Sequence, residues 1–405
     1  MQSGKGSITI WLSFSIILLS AGLVCHVLSI PAVLDAAGRD AWLSNIVAAP
    51  FFLLFVLMMY RVIRRTDGRR LTDWIQDQFG AATAWTIRIT SSIMIFVLGT
   101  HTLYETSFWA VTTYLQFTPI ALIVSVGVLV PLIAACLGIR SIAITSSIIL
   151  PVVLFLGYFV MTANTRYKDY SRLLPVMEYG MGPVWEGTVY ALAALMEIWI
   201  LIYFHHEVKS RFKLWHMLAL VVFMIGMAVG PTMSAITEFG PYEAMKQRSP
   251  PFEQWKLVNI GKLLQHVDFL SIYQWLCGSF GRIAISLYLI VDLLEIRKPR
   301  ARYSVLTGLA VGMGGISVYW WRSDLVYEYL KRVQFPVMLA YVYTLMTFLA
   351  ILTLIRRKDK MRRKRRANKT DSGQEGQSGQ EGGRSTPAGG SGGVPGGGTG
   401  QAPSS

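Results

Sequence analysis

Residues 185–207, WEGTVYALAALMEIWILIYFHHE, decide the fold. Between Gly187 and Phe204 the only charged residue is Glu197. About 20 mainly apolar residues suffice for a helix to cross a bilayer. A carboxylate at mid-membrane depth costs about 2.5–3.5 kcal/mol on insertion scales, so it is rarely accidental. The stretch reads as a membrane-spanning helix, and the other helices are expected to surround Glu197.

Composition extends this to the whole chain. Of 405 residues, 53% are hydrophobic and 15% charged, and the mean hydropathy is +0.45. A soluble domain carries about 25% charged residues, so the chain reads as an all-α integral membrane protein. The net charge of +15 does not imply nucleic acid, because the basic residues sit in short loops and one tail. Cys25, Cys136 and Cys277 lie in apolar runs without metal or redox spacing. The first apolar run starts at Ile8 and lacks a cleavage site, so no cleavable signal peptide is expected. There is no HExxH, GxSxG or phosphate-cradling glycine loop, so neither an enzyme nor a cofactor is expected.

Ten spans are expected, at about 8–30, 41–60, 84–112, 119–137, 141–162, 186–204, 214–235, 268–292, 303–321 and 335–355. The third contains Arg88 and Glu105; the eighth contains Arg282 and Asp292. Lys and Arg concentrate in alternate loops, notably Arg61–Arg70 and Arg297–Arg302, and in RRKDKMRRKRRANK at 356–369. That bias places both termini in the cytoplasm. The chain thus divides into a membrane domain (1–355), a basic juxtamembrane segment (356–369) and a Gly/Ser-rich tail (370–405) expected to be disordered. The basic segment anchors topology and, secondarily, suits anionic lipid heads.

Three connections carry detail. LTDWIQDQF (71–79) puts Leu71, Trp74, Ile75 and Phe79 on one face, as in a helix lying on the inner membrane surface. The outer loop 163–184, with Tyr170, Leu173, Leu174 and Pro175, is too apolar for a free linker. In the outer loop 236–267, Phe252 and Trp255 should dock on the bundle or membrane, as a packed connector or as a lid over a vestibule.

Five spans, a connection and five more suggest an inverted repeat, whose first and sixth helices are interrupted near the midplane. Ser20, Ala21 and Gly22 mark a candidate break in the first span; Ala191, Ala193, Ala194 and then Glu197 mark one in the sixth. Small residues also serve close helix packing. His26 reads as a buried histidine bonded to a carbonyl, or as a ligand contact. His101 and Glu105 share a face at i, i+4 and either close a helix contact or wall the site. Arg282 needs a partner, with Glu105 and Glu197 the candidates.

The segments IPAVLDAAGRDAW (30–42), YSRLLPVMEYG (170–180), FGPYEAMKQRSPPFEQW (239–255) and LLQHVDFLSIYQWLCGSFGRIAISLYL (263–289) carry a family resemblance. With the ten-span layout, the chain over 8–355 resembles the B subunits of GerA-type nutrient germinant receptors. These are spore germination proteins of the amino acid–polyamine–organocation transporter superfamily. Glu197 falls on the family's sixth-span Glu, here preceded by Ala194, Leu195 and Met196 without the family's glycine. The resemblance implies a LeuT-like fold with interrupted helices 1 and 6, and a place in the spore inner membrane. It also implies an A subunit and a lipoprotein C subunit as partners. On this reading a germinant, in the first instance a small amino acid, binds between the first, third, sixth and eighth spans. Its carboxylate would meet backbone N–H groups near Ala21 and Gly22. Its ammonium would meet carbonyls freed at the sixth-span break, beside Ala194, Glu197 or Glu105. Two alternatives stand beside it: a secondary transporter moving an amino acid with a proton on Glu197, and a structural subunit with a vestigial site.

Overall fold

The computed structural model describes residues 7–259, 267–320 and 325–355. The expectations for 356–369 and 370–405 fall outside the described residues. The chain divides into two units, Met1–Thr353 and Leu354–Ser405, and only Leu354 and Ile355 of the second are described. The described residues are helical, with no strand and one isolated bridge pairing Ile8 with Val208.

The helices are α1 (Ile10–Leu23), α2 (Ile30–Ala37), α3 (Ala41–Thr66), α4 (Leu71–Phe79), α5 (Ala81–Thr113), α6 (Ile120–Leu137), α7 (Ile139–Ala163) and α8 (Met181–Leu195). They continue with α9 (Leu201–Phe204), α10 (Leu214–Phe239), α11 (Pro241–Lys246), α12 (Pro250–Leu257) and α13 (Leu270–Leu293). The last three are α14 (Pro299–Trp320), α15 (Leu325–Tyr329) and α16 (Phe335–Ile355). Among the described residues, eight segments are long and apolar enough to cross a membrane. The first, Ile10–Thr66, runs 57 residues; at about 1.5 Å per residue it far exceeds a bilayer core of about 30 Å. It is broken at Gly38, whose φ of +54° no helix accommodates.

Burial ranks the helices. The windows in Met181–Glu207 and Leu270–Leu293 are 89% and 83% buried, against 22% for Ile120–Leu137 and for Ile139–Tyr167. The α8–α9 segment and α13 are therefore the core, and α6 and α7 face outward. The α8 helix packs on α2 and α3, while α13 packs on α1, α5, α6 and α7. The α8–α3 contact is close because Gly187 has no side chain. A Cβ there would lie 2.5 Å from Ser44 Oγ and 2.9 Å from Ala37 Cβ. Ser44 cannot retreat freely, since its hydroxyl donates to the Val184 carbonyl at 3.0 Å. Gly187→Val should lower stability by about 1–3 kcal/mol, the usual cost of overpacking; thermal unfolding in detergent measures it.

One expectation changes. The apolar face of α4 is buried within the protein rather than laid on lipid: Leu71, Trp74 and Ile75 are 1%, 6% and 0% exposed. The polar side of α4 reaches Arg88, which bonds Asp73 and Gln76, each at 3.4 Å, so the helix is clamped against α5. Asp292 pairs with Arg70 at 2.9 Å, and Glu295 pairs with the buried Arg88 at 2.6 Å.

The two long loops dock. In 163–184, Leu173 is buried but Tyr170 and Leu174 are exposed. A backbone bond from Asp169 N–H to the Thr237 carbonyl (3.0 Å) ties it to the end of α10. In the other loop Phe252 and Trp255 are buried. There Asn164 donates to the Gln254 carbonyl at 2.7 Å, and the Gln254 amide donates to the Pro231 carbonyl at 3.1 Å.

Candidate functional site

Both central helices change pitch near the middle. The α1 helix passes into a π-helical turn, Val24–Leu28, before α2 begins. The α8 helix tightens into a 3₁₀ turn, Met196–Ile200, that carries Glu197. Ser20, Ala21 and Gly22 lie one turn before the change in α1, inside regular helix. Their smallness serves packing: Ser20 and Ala21 are buried, and Met227 Cε stands 2.9 Å from where a Gly22 Cβ would be. Ala194 is buried in the last turn of α8.

Glu197 is not open. Its carboxylate accepts from Arg282 Nη2 at 2.5 Å, and Arg282 Nη1 donates to Thr102 Oγ1 at 2.6 Å. Both side chains of the ion pair are within 5% of full burial. In a low-dielectric interior each charge demands such a partner, and here each has it. Glu105 sits in a separate pair. Arg248, from the loop between α11 and α12, reaches it at 2.5 Å. His101, at 4.0 Å from Glu105, bonds Gln334 at 2.7 Å through Nδ1. Arg248, Thr102 and Gln334 have no signature in the sequence; each acquires its role only by the fold bringing distant segments together.

A roomier cavity lies elsewhere. A space of about 430 Å³ is lined by α1, the π turn, α7, α10, α12 and α13. Gly22, His26, Met227, Gln254, Gln274 and Trp275 are on its wall. Of the six residues expected at the site, only Gly22 lines it. A second space of about 10 Å³, roughly one water, lies beside Glu105, Arg248, Ser249 and Tyr327. Val27 and Trp275 line both and so form the partition. Trp275 is held by stacking on Trp109 at 4.5 Å and by its Nε1–H bond to Thr106 Oγ1 at 3.3 Å. Nearby, burial pushes the Tyr114 hydroxyl up to about 12, so it stays a donor to Asp268, at 2.9 Å. Among the described residues no group of His, Cys, Asp or Glu is placed to hold a metal.

A family model for spore germination proteins, the spore permeases, matches residues 8–298. The chain belongs to the spore germination protein family. Spore germination protein XB of Bacillus anthracis is 38% identical over 324 residues, covering 78% of this chain and 89% of that protein. This spore germination protein is thus a multi-pass membrane protein of a permease-like family. Such a family points to a receptor or transporter rather than an enzyme. The matched region contains the first-span π turn, the Glu197–Arg282 pair and every described element that walls the large cavity.

Proposed function

We propose that this protein is the germinant-sensing membrane subunit of a receptor complex in the spore inner membrane. A small molecule binds in the 430 Å³ cavity and biases the packing of the helices around it. The observation that carries this reading is the position of the cavity. It opens on one side, has a volume within the usual range for small-molecule sites, and is bordered by the segment where α1 changes pitch. An occupant touches α1, α7, α10 and α13 together, so a conformational change in that group alters its affinity. Differential affinity for two states is what sensing requires.

Counting the run before Gly38 as one crossing, the run after it as another, and adding α14 gives ten crossings. That count suits a LeuT-like inverted repeat with both ends cytoplasmic. On the same topology α12 is outside and walls the cavity, which supports entry from the outer half of the membrane. The A and lipoprotein C subunits then read out the change. The resemblance makes an amino acid the first germinant to try, and the chemistry of the wall bears on that below. Glu197 and Arg282 stabilise the helix break from within rather than touch the ligand.

Gly22→Leu fills part of the cavity and should abolish the germination response that this protein confers, at least a hundredfold in ligand concentration. Spores carrying the variant at normal level, tested against a germinant panel beside spores lacking the protein, provide the measurement. An unchanged dose–response curve at normal protein level defeats the placement. A proton-coupled permease is distinguished by pH-driven uptake in proteoliposomes. The sensing reading expects binding without such flux.

A further inference from the structure

We infer that the cavity between α1, α7, α10 and α13 selects a neutral molecule with a flat ring, and not a zwitterion. The inference rests on the cavity being the germinant site. No Asp, Glu, Lys or Arg lines it among the described residues; the ionisable side chains on its wall are His26 and Tyr158. The nearest charged groups of the polar core are already matched: Glu197 with Arg282, and Glu105 with Arg248, each at 2.5 Å. The second pair is also shut off behind Val27 and Trp275. An ammonium and a carboxylate entering this space would each lose water and gain no counter-charge, which is strongly unfavourable.

The polar groups that do face the cavity are neutral and held in place. Gln254 is fixed by its bond to the Pro231 carbonyl at 3.1 Å, and Gln274 accepts from Trp255 Nε1 at 3.2 Å. Ser234 and Ser271 add two hydroxyls. This number of hydrogen-bonding groups suits a ring with one or two polar edges. It does not suit a polyol, whose many hydroxyls would go unpaired. Five aromatic side chains, Tyr158, Phe223, Phe252, Trp255 and Trp275, share the rest of the wall with aliphatic ones such as Leu19, Leu23 and Met161. On α10 the backbone is bare at Gly226, where a Cβ would meet nothing within 4 Å. Aromatic faces and a stretch of bare helix in one wall suit a flat ring.

The mouth fits the same class. Tyr158 on α7 and Val222 on α10 line the cavity, yet are 62% and 72% exposed. The opening therefore lies between two outward-facing helices, where a neutral ring arrives through the bilayer and a zwitterion does not.

The full chain, purified into lipid nanodiscs, is titrated calorimetrically with matched probes: indole and benzamide as neutral rings, tryptophan and phenylalanine as zwitterions. The Gly226→Leu variant fills open space without displacing a neighbour and should keep the wild-type melting temperature. The expected result is that at least one neutral probe binds ten or more times tighter than its zwitterionic counterpart, and that Gly226→Leu weakens it tenfold or more. If the zwitterions bind as tightly or tighter, and Gly226→Leu weakens them, the cavity is the site but the ligand class is wrong. If Gly226→Leu changes neither class, the cavity is not the site and the reading above falls with the inference. A phospholipid retained by the wild type and lost from Gly226→Leu assigns the space to an acyl chain and overturns the proposal.

Discussion

Arg282→Met lowers the stability of the folded protein by about 3–5 kcal/mol, because it leaves Glu197 buried without a counter-charge. The geometry makes the effect large. Arg282 is 1% and Glu197 4% exposed, and the guanidinium spans from Glu197 on the 3₁₀ turn to Thr102 on α5. One side chain thus joins the two most buried segments to a third. Methionine nearly matches the aliphatic stem in volume, so packing changes little and the charge effect is isolated. Glu197→Leu combined with Arg282→Met should recover most of the loss, since a buried ion pair and an apolar pair of similar volume differ little in net stability. Thermal unfolding in nanodiscs, with protein level in the membrane as a second reading, checks both variants. If Arg282→Met melts like the wild type, the pair is not holding the helices. The double variant also separates functions. A sensor with its ligand in the neighbouring cavity keeps ligand binding, whereas a permease carrying its proton on Glu197 loses pH-driven flux.

What the sequence makes legible here follows from how local each signal is. The stretch 185–207 identifies the central helix because nothing but Glu197 interrupts its apolar run, and that segment is indeed among the two most buried. The same reasoning locates α13 despite Arg282, and the docking of Phe252 and Trp255 follows from aromatic residues stiffened by nearby prolines. Other features are not local. Small residues at 20–22 suggest a break, but smallness serves contact as well, and the helix changes pitch one turn later at Val24. An amphipathic face such as that of α4 tells that something apolar covers it; whether lipid or protein does so depends on Asp73 and Gln76 meeting Arg88. Partner choice is the least legible. Arg282 had two carboxylates in reach by spacing, and only the fold gives Glu197 to Arg282 while a loop residue, Arg248, takes Glu105. The cavity itself is built from α1, α7, α10, α12 and α13, and no single one of them carries its signature.

Trp275→Ala should have the second large effect, on stability and on ligand choice at once. Truncating a buried tryptophan costs about 3–5 kcal/mol. Trp275 is 5% exposed, stacks on Trp109 with 8° between the planes, and belongs to a cluster in which Trp109 also meets Phe252 edge-on at 5.5 Å. Trp275→Phe keeps a ring on Trp109 and loses mainly the N–H bond to Thr106, so its cost should be about 1 kcal/mol. The melting temperatures in nanodiscs should therefore fall in the order wild type, Trp275→Phe, Trp275→Ala. The effect on ligands has a different origin. Trp275 and Val27 separate the 430 Å³ cavity from the 10 Å³ space beside Glu105 and Arg248. With the indole gone the two spaces join, and a zwitterion in the cavity gains access to a carboxylate and a guanidinium. The preference for indole over tryptophan should then shrink at least fivefold, while Trp275→Phe largely preserves it. Both variants are compared in the same titration at a temperature where each is folded. A preference unchanged in Trp275→Ala means that this side chain does not exclude charge from the cavity, and that the charge-free wall alone determines the choice.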